Sequence, residues 1–389
     1  MRTIEKGILT KTLLLTAILM APSSARAYPP DNAAVLYYKA CLLCTVDDRM
    51  TGILSDLYKG SVEPNEQVRE ILEKNRPIID MVLDASEIDH CDWGYDSSQG
   101  IEVLTPPFHK FRQLSWLIAA DAWMRARQGD YETALSRCMG IYRMGRHLSN
   151  GPTLNYIVGV GISAVGHKCV TRILWNLPPD AETLTRLKTE LSKLDERPFS
   201  IKPMLRWKRE AGIVSMSPDK IDEVVKSGLD DCPFKEKALA RIRGADEQFF
   251  AGNVEYWKRY MDQIQAAFEL PYPEAYARLQ QLDEQPSQDS DQNTDATLTA
   301  CVAPAFLRIY ALDLRLRTES NAIRTAVSIY LVRATAGSLP ETLAEGLPGD
   351  LFSGKPFQYA KTTDGFVLRC QTKDLDKNQP YEYQFKVAK

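Results

Sequence analysis

The apolar residues of this chain recur with the period of an α-helix almost to its end. Residues 33–43 show the pattern, since most positions are apolar, Lys39 is expected to be exposed, and Asp31 or Asn32 can cap the first turn. The same periodicity predicts many further helices. They are Asn65–Lys74, Pro77–Ala85, two helices within Phe108–Leu148 joined at residues 128–131, Thr153–Leu177, Ala181–Leu194, Pro218–Ser227, Lys235–Phe250, Val254–Glu269, Pro273–Glu284, Pro304–Leu316 and Glu319–Ala336.

The period changes from helical to alternating after residue 356. Phe357–Tyr359, Phe366–Cys370 and Tyr381–Val387 alternate apolar and polar residues, and Asp364-Gly365 is a hairpin turn. Three short antiparallel strands are therefore predicted, packed on the preceding helix because such a small sheet is marginal alone. The predicted fold is mainly α, an irregular multi-helix bundle or short α-solenoid with a small C-terminal antiparallel β-sheet.

The chain is therefore divided into a helical domain (28–337) and a small β subdomain (338–389). Two segments of the helical domain have an unusual composition. Residues 285–297 have almost no apolar side chain, and we expect a disordered loop there. Residues 153–177 are instead rich in glycine and apolar residues, but the uncharged run ends at His167-Lys168. A run of this length suits a central buried helix better than a membrane span.

The first 27 residues have the pattern of a signal peptide. Lys6 and Lys11 contribute to a basic leader, Thr12–Ala21 is a short apolar run, and Ala25-Arg26-Ala27 is a small-x-small cleavage site. Cleavage would leave Tyr28 at the new N-terminus, a periplasmic or secreted protein, and no membrane span. If the site were not cut, the same residues would form a short, poorly fitting anchor.

Charge and cysteine content narrow the possible partners and covalent links. The whole chain has 48 Lys and Arg against 51 Asp and Glu, and the leader carries four of the basic residues and one acid. Because the remainder is mildly acidic, nucleic acid is not an expected partner. All eight cysteines follow the leader, where an oxidising compartment permits disulfides. We expect one or two disulfides and several buried thiols among Cys41, Cys44, Cys91, Cys138, Cys169, Cys232, Cys301 and Cys370.

Three stretches resemble known families, and none of them implies an activity. Ala122, Gly129, Tyr131 and Ala134 resemble the turn of one tetratricopeptide hairpin, without a recurring repeat. A C-terminal stretch resembles the globular part of type II secretion pseudopilins, which implies a shared small sheet but no filament assembly, since the long apolar assembly helix is missing. Its matching elements are Tyr330–Arg333, Gly337–Leu343, Leu347-Pro348 and Asp350–Tyr359.

The order of motifs along the whole chain resembles a group of uncharacterised secreted bacterial helical proteins. The motifs are Asn32–Tyr38, Cys91–Asp96, Gly129–Tyr131 and Ser353–Pro356. The resemblance implies a shared architecture only, because no activity is established for the group.

Cysteine and histidine motifs supply the first candidates for chemistry. Cys41 and Cys44 form a C-x-x-C at a helix C-terminus, where the dipole opposes thiolate formation, so core thiols or a disulfide are expected. A metal site would need His90 and Cys91 as further ligands, and a redox role is the third alternative. His90-Cys91 is not expected to form a catalytic pair, since neighbours in a chain rarely point at each other.

Other candidate patterns are interpreted as structural. The glycines of residues 159–166 lack the strand and spacing of a dinucleotide site and favour helix packing. Residues 289–295 alternate oxygen ligands as a calcium loop does, but Thr294 and Ala300 replace its glycine and glutamate. His167 is expected to be a hydrogen-bonded core residue. The remaining candidates, which have no recognisable signature or ligand spacing, are Asp80, Asp84, Glu87, Asp89, Asp121, Glu210, His109 and His147.

These patterns predict a non-enzymatic protein that binds another protein or an envelope component through its surface or a groove. No catalytic residue can be assigned, and no cofactor or metal site is predicted. Two alternatives remain: a periplasmic hydrolase with an unrecognised carboxylate site, and a metal- or redox-responsive protein that uses Cys41, Cys44, His90 and Cys91.

Overall fold

The computed structural model describes residues 31–387 except for 102, 197, 223–224 and 226–234. The predicted signal peptide and its cleavage site lie outside the described residues, as do Cys232 and residues 223–224 and 226–227 of the helix predicted over Pro218–Ser227. The described part is mainly α-helical and ends in a small antiparallel sheet. This architecture confirms the predicted fold class.

Fourteen α-helices lie within the described residues, and most follow the predicted bounds. The first begins and ends where predicted, and its start is capped by Asn32, whose side chain accepts from the backbone N–H of Ala34. The helices are α1 Ala33–Leu43, α2 Asp48–Lys59, α3 Glu66–Lys74, α4 Arg76–Glu87, α5 Phe108–Arg127, α6 Tyr131–Leu148, α7 Thr153–Asn176, α8 Ala181–Glu196, α9 Lys202–Ser215, α10 Lys235–Arg243, α11 Glu247–Phe268, α12 Glu274–Ser290, α13 Thr297–Val302 and α14 Phe306–Ala336.

Some helices and helix boundaries differ from prediction. Helices α2 and α9 were not expected from the apolar pattern. The break between α10 and α11 falls before residue 247, because the Asp246 side chain accepts the Phe249 N–H at 2.8 Å and starts a new helix there. The two helices predicted over 304–336 form one, in which the Thr318 hydroxyl donates to the Leu314 carbonyl at 2.7 Å.

The prediction of a disordered loop over residues 285–297 is wrong. Helix α12 continues through Pro286 to Ser290, and a short 3₁₀ turn covers Thr294–Ala296. The polar side chains that suggested disorder bind neighbouring helices: the Tyr256 hydroxyl donates to Asp289 at 2.6 Å and Lys237 donates to Asp291 at 2.8 Å. Two candidate calcium ligands are therefore engaged by α10 and α11.

Helix α7 lies at the centre of the helical body, against α5, α6 and α14. Gly159 lets α6 approach closely, since a Cβ there would lie 2.6 Å from the Gly145 carbonyl oxygen, as helix packing requires. Helix α7 is long and apolar enough to cross a membrane, yet 61% of its most apolar window is buried within the protein. The 3₁₀ turn with α13, taken with α14, meets the same criterion as a pair bent by 41°.

The C-terminal sheet has the predicted strands and packs on α14. Strands β1 Gln358–Thr362, β2 Gly365–Arg369 and β3 Glu382–Lys386 are antiparallel in that order, with Phe366 opposite Phe385. The ring of Phe366 contacts Tyr330 of α14 at a centroid distance of 5.4 Å. The sheet and the helices therefore share one hydrophobic core.

The segment after α4 is held against the first helix through polar and aromatic contacts. The Asn32 side chain donates to the Asp92 carbonyl and accepts from the Asp92 N–H, both at 2.9 Å. The Trp93 indole N–H donates to the His147 carbonyl at 2.8 Å, and its ring stacks on Tyr37. These contacts fix the His90–Trp93 segment as a structural tether.

The expected disulfides do not form among six of the cysteines: Cys41, Cys44, Cys91, Cys138, Cys169 and Cys370 carry free thiols. Five of these six are buried in the core, where a thiol packs as a small hydrophobic group. A large core makes covalent links unnecessary for stability.

Candidate functional site

The candidate carboxylates do not converge on a common cleft. Asp80, Asp84 and Glu87 lie exposed on α4, and Glu210 is exposed on α9. Asp121 is buried, but its carboxylate is bound by three guanidinium groups: Arg76 at 2.7 Å, Arg125 at 3.2 Å and Arg137 at 3.1 Å. Such a network makes Asp121 a structural anion.

The cysteine and histidine cluster is not arranged as a metal or redox site. Burial, followed by the nearby Cys44, raises the pKa of the Cys41 thiol to about 12, so the reactive thiolate is disfavoured. Burial likewise raises the pKa of Cys91, while His90 is exposed. Among the described residues, no three His, Cys, Asp or Glu side chains form a group that could hold a metal ion.

The four histidines occupy different environments. His90 and His109 are exposed, whereas His147 and His167 are buried. The Nδ1 atom of His147 lies 3.1 Å from the Tyr37 hydroxyl. The Nδ1 atom of His167 lies 3.0 Å from a carboxylate oxygen of Glu319, which fits the predicted hydrogen-bonded core residue.

His167 also lines a cavity of about 260 Å³ that sequence reasoning did not find. We call this cavity the arginine pocket, because Arg146, Arg317 and Arg324 line it. Arg146 is in the last turn of α6, and the other two lie two turns apart on one face of α14. Helix α7 supplies the opposite wall with His167 and Ser163.

The lining of the arginine pocket is positively charged. Three guanidinium groups face a cavity whose described lining contains no Asp or Glu. Arg317 is partly neutralised from outside the pocket, since it donates to the buried carboxylate of Asp313 at 3.3 Å. Burial raises the pKa of Asp313, although Arg317 and a hydrogen bond from Tyr156 at 2.5 Å oppose this shift.

An apolar wall and a longer groove adjoin the guanidinium groups. Phe199, Leu316 and Leu351 line the arginine pocket, and Phe199, Arg317 and Leu351 also line a groove of about 580 Å³. The groove continues along the start of α9 past Lys202, which pairs with Glu269 at 2.9 Å. The two cavities therefore form one surface with an apolar side and a cationic end.

This arrangement can bind an oxyanion. A guanidinium group presents paired N–H donors that match a carboxylate or phosphate, and three such groups concentrate positive potential in a small volume. The sequence signal available was the two-turn spacing of Arg317 and Arg324 around Ser320 and Asn321. Arg146 could not be joined to them, because it lies far away in the chain.

Comparison of the chain with family models, with curated proteins and with solved structures finds no match in any of the three. The pseudopilin and bacterial helical resemblances therefore stay predictions. Function has to be inferred from the residues that line the cavities.

Proposed function

We propose that this chain is a secreted or periplasmic binding protein that takes an anionic envelope component into the arginine pocket. One observation carries the proposal: three arginines from two helices line a single cavity whose described lining has no carboxylate. Arg146 and Arg324 are half-buried and Arg317 is exposed, so an anion that enters the cavity can approach all three guanidinium groups. The location is supported by the signal-peptide pattern of residues 1–27.

The pocket favours an oxyanion that is attached to an apolar group. The guanidinium end suits a carboxylate or phosphate, whereas Phe199 and the leucines beside it suit an aliphatic or aromatic moiety. The volume of about 260 Å³ suits a small headgroup, and the adjoining groove leaves space for the rest of a longer molecule. Phenyl phosphate and benzoate therefore imitate the two candidate headgroups.

A calorimetric titration of the full chain tests the proposal. We expect phenyl phosphate or benzoate to bind, and Arg324→Gln to weaken binding roughly tenfold, since a hydrogen bond to a charged group contributes about 1.5–3 kcal/mol. Arg324→Lys keeps the charge but loses the paired donors, so its affinity for the probes should fall between those of the wild type and Arg324→Gln. Phenol, which lacks the oxyanion, should not bind.

Arg308→Gln is the matched control, because Arg308 is exposed on the same helix and does not line the pocket. Circular dichroism and thermal unfolding of each variant separate loss of binding from loss of fold. Equal affinity of the wild type, Arg324→Gln and Arg146→Gln for both probes would contradict the proposal.

The hydrolase alternative receives less support from the geometry. Hydrolysis by carboxylates needs two of them at a cleft, one protonated and one ionised. In the groove, Asp313 has a raised pKa, but the other acid among the described lining residues, Glu269, is exposed and paired with Lys202. Binding is therefore the function that the site favours.

A further inference from the structure

A second cationic cavity lies on the other side of the contact between α7 and α14. It measures about 540 Å³, and we call it the lysine pocket because Lys59, Lys168 and Arg172 line it. Tyr58, Trp175 and Glu319 also line this pocket. The lysine pocket and the arginine pocket share no lining residue, so Lys168 and Arg324 can be altered separately, although Glu319 of the lysine pocket contacts His167 of the arginine pocket.

Two cations of the lysine pocket, Arg172 and Lys168, are positioned by contacts with the end of α2. One Nη of Arg172 donates to the carbonyls of Leu57 and Tyr58 at 2.8 and 3.0 Å, at the C-terminal end of α2. The Nζ atom of Lys168 lies 4.5 Å from the centre of the Tyr58 ring. At the rim, Lys386 extends over the ring of Trp175 at 5.3 Å.

Negative charge in the lysine pocket is insufficient to balance these cations. Lys59 has a long contact of 3.8 Å with Asp56, and both side chains are more than half exposed. Asp56 does not line the pocket, and Glu319, the carboxylate among the described lining residues, is hydrogen-bonded to His167. Partial burial, then Arg172 and Lys59, lowers the pKa of the Lys168 amine, and the nearby Glu319 carboxylate opposes this shift.

We propose that the lysine pocket is a second anion site that binds a phosphate group. A dianion suits a cavity lined by three cations better than a carboxylate does, because its oxygens can accept from more than one ammonium or guanidinium group. Lys168 is the central ligand, since it lies one turn before Arg172 on α7 and its Nζ atom contacts the Tyr58 ring that lines the cavity. Arg172 and Lys59 are the other two cations that line the cavity.

Calorimetric titration with inorganic phosphate at low ionic strength tests this second site. We expect the wild type to bind two phosphate ions, one in each pocket, and Lys168→Gln to bind one. Arg324→Gln also loses one site, but a different one, and the double variant loses both. If the proposed function fails, Arg324→Gln binds as many phosphate ions as the wild type, whereas Lys168→Gln still binds one fewer.

Two further measurements distinguish a binding role of Lys168 from a structural one. Phosphate should raise the pKa of the Lys168 amine, which NMR of the lysine side chains detects. Glu319→Gln should tighten phosphate binding severalfold, because it removes a competing negative charge. Lys188→Gln, on the exposed face of α8, is the control and should change nothing.

The proposal is overturned if Lys168→Gln binds phosphate with wild-type stoichiometry and affinity, or if the wild type shows no binding at millimolar phosphate. It is also overturned if acetate binds the lysine pocket as tightly as phosphate does, since the site would then show no preference for a dianion over a monoanion.

Discussion

Replacing Asp121 by asparagine should destabilise this protein strongly, although it changes one atom. Arg76 donates to one carboxylate oxygen at 2.7 Å, while Arg125 and Arg137 share the other at 3.2 and 3.1 Å. Whichever way the amide of an asparagine turns, at least one guanidinium group would face an N–H donor. The three cations would also lose their buried counterion.

The magnitude follows from burial. The side chain of Asp121 is 2% exposed, whereas those of its three partners are 37%, 27% and 16% exposed. Breaking a fully buried pair costs about 3–5 kcal/mol, but water can reach these arginines, so the lower end applies. We expect a loss of about 3 kcal/mol in the free energy of unfolding, or about 4 °C in Tm for a chain of this length.

Urea unfolding followed by circular dichroism measures this loss, and Asp80→Asn is the matched control. Asp80 contacts the same Arg137 at 3.8 Å but is 55% exposed, so its removal should cost less than about 1 kcal/mol. If Asp121→Asn unfolds within about 0.5 kcal/mol of the wild type, the buried network does not stabilise the fold as proposed.

The difference in free energy of unfolding between the wild type and Asp121→Asn should depend on pH. Burial tends to raise the pKa of Asp121, but hydrogen bonds and charges from Arg76 and Arg125 outweigh it, and the net pKa is lowered. A lowered pKa contributes stability above the unfolded-state value near 4, and this stability is lost as the pH falls through the folded-state pKa. The gap between wild type and Asp121→Asn should therefore be constant from about pH 5 to 8 and narrow below about pH 4.

Three further predictions concern the tether, the thiols and the C-terminal segment. Trp93→Ala should lower the free energy of unfolding by about 3–5 kcal/mol through lost packing and the lost bond to His147, whereas Trp93→Phe should lose less. Equal Tm values for the wild type and Trp93→Ala would refute this. Burial raises the pKa values of Cys41 and Cys138, so a thiol reagent at pH 8 should label them only after unfolding; rapid native labelling would contradict it. Asp350→Ala should cost about 2–4 kcal/mol, because the buried carboxylate accepts three hydrogen bonds, and a loss under 1 kcal/mol in urea unfolding would count against that role.

The helices and strands could be predicted because their signals are local. Apolar periodicity and a cap at Asn32 define α1, and alternation with a turn at Asp364-Gly365 defines the C-terminal hairpin. The failures arose where partners are remote. Residues 285–297 look disordered in isolation, but the Tyr256 hydroxyl and the Lys237 ammonium group bind their carboxylates.

The candidate site could not be predicted for the same reason. The sequence drew attention to Cys41, Cys44 and Asp121, whose residue types are typical of catalysis, yet burial disfavours the thiolate of Cys41 and three arginines engage Asp121. The arginines and Lys168 look like ordinary surface residues until α6, α7 and α14 bring them around cavities. An arginine without a motif carries no signal of its own.

The sequence by itself determined the helical body, the terminal sheet and the pattern of a signal peptide at the N-terminus, because periodicity and turn residues act over a few neighbours. Only the tertiary structure decided which charges are enclosed by partners and which line a cavity. Asp121 meets three arginines and becomes structural, whereas the arginines of one pocket and the lysines of another line cavities that an anion can enter. Electrostatic energy depends on distance and burial in space, and neither can be read from position along the chain.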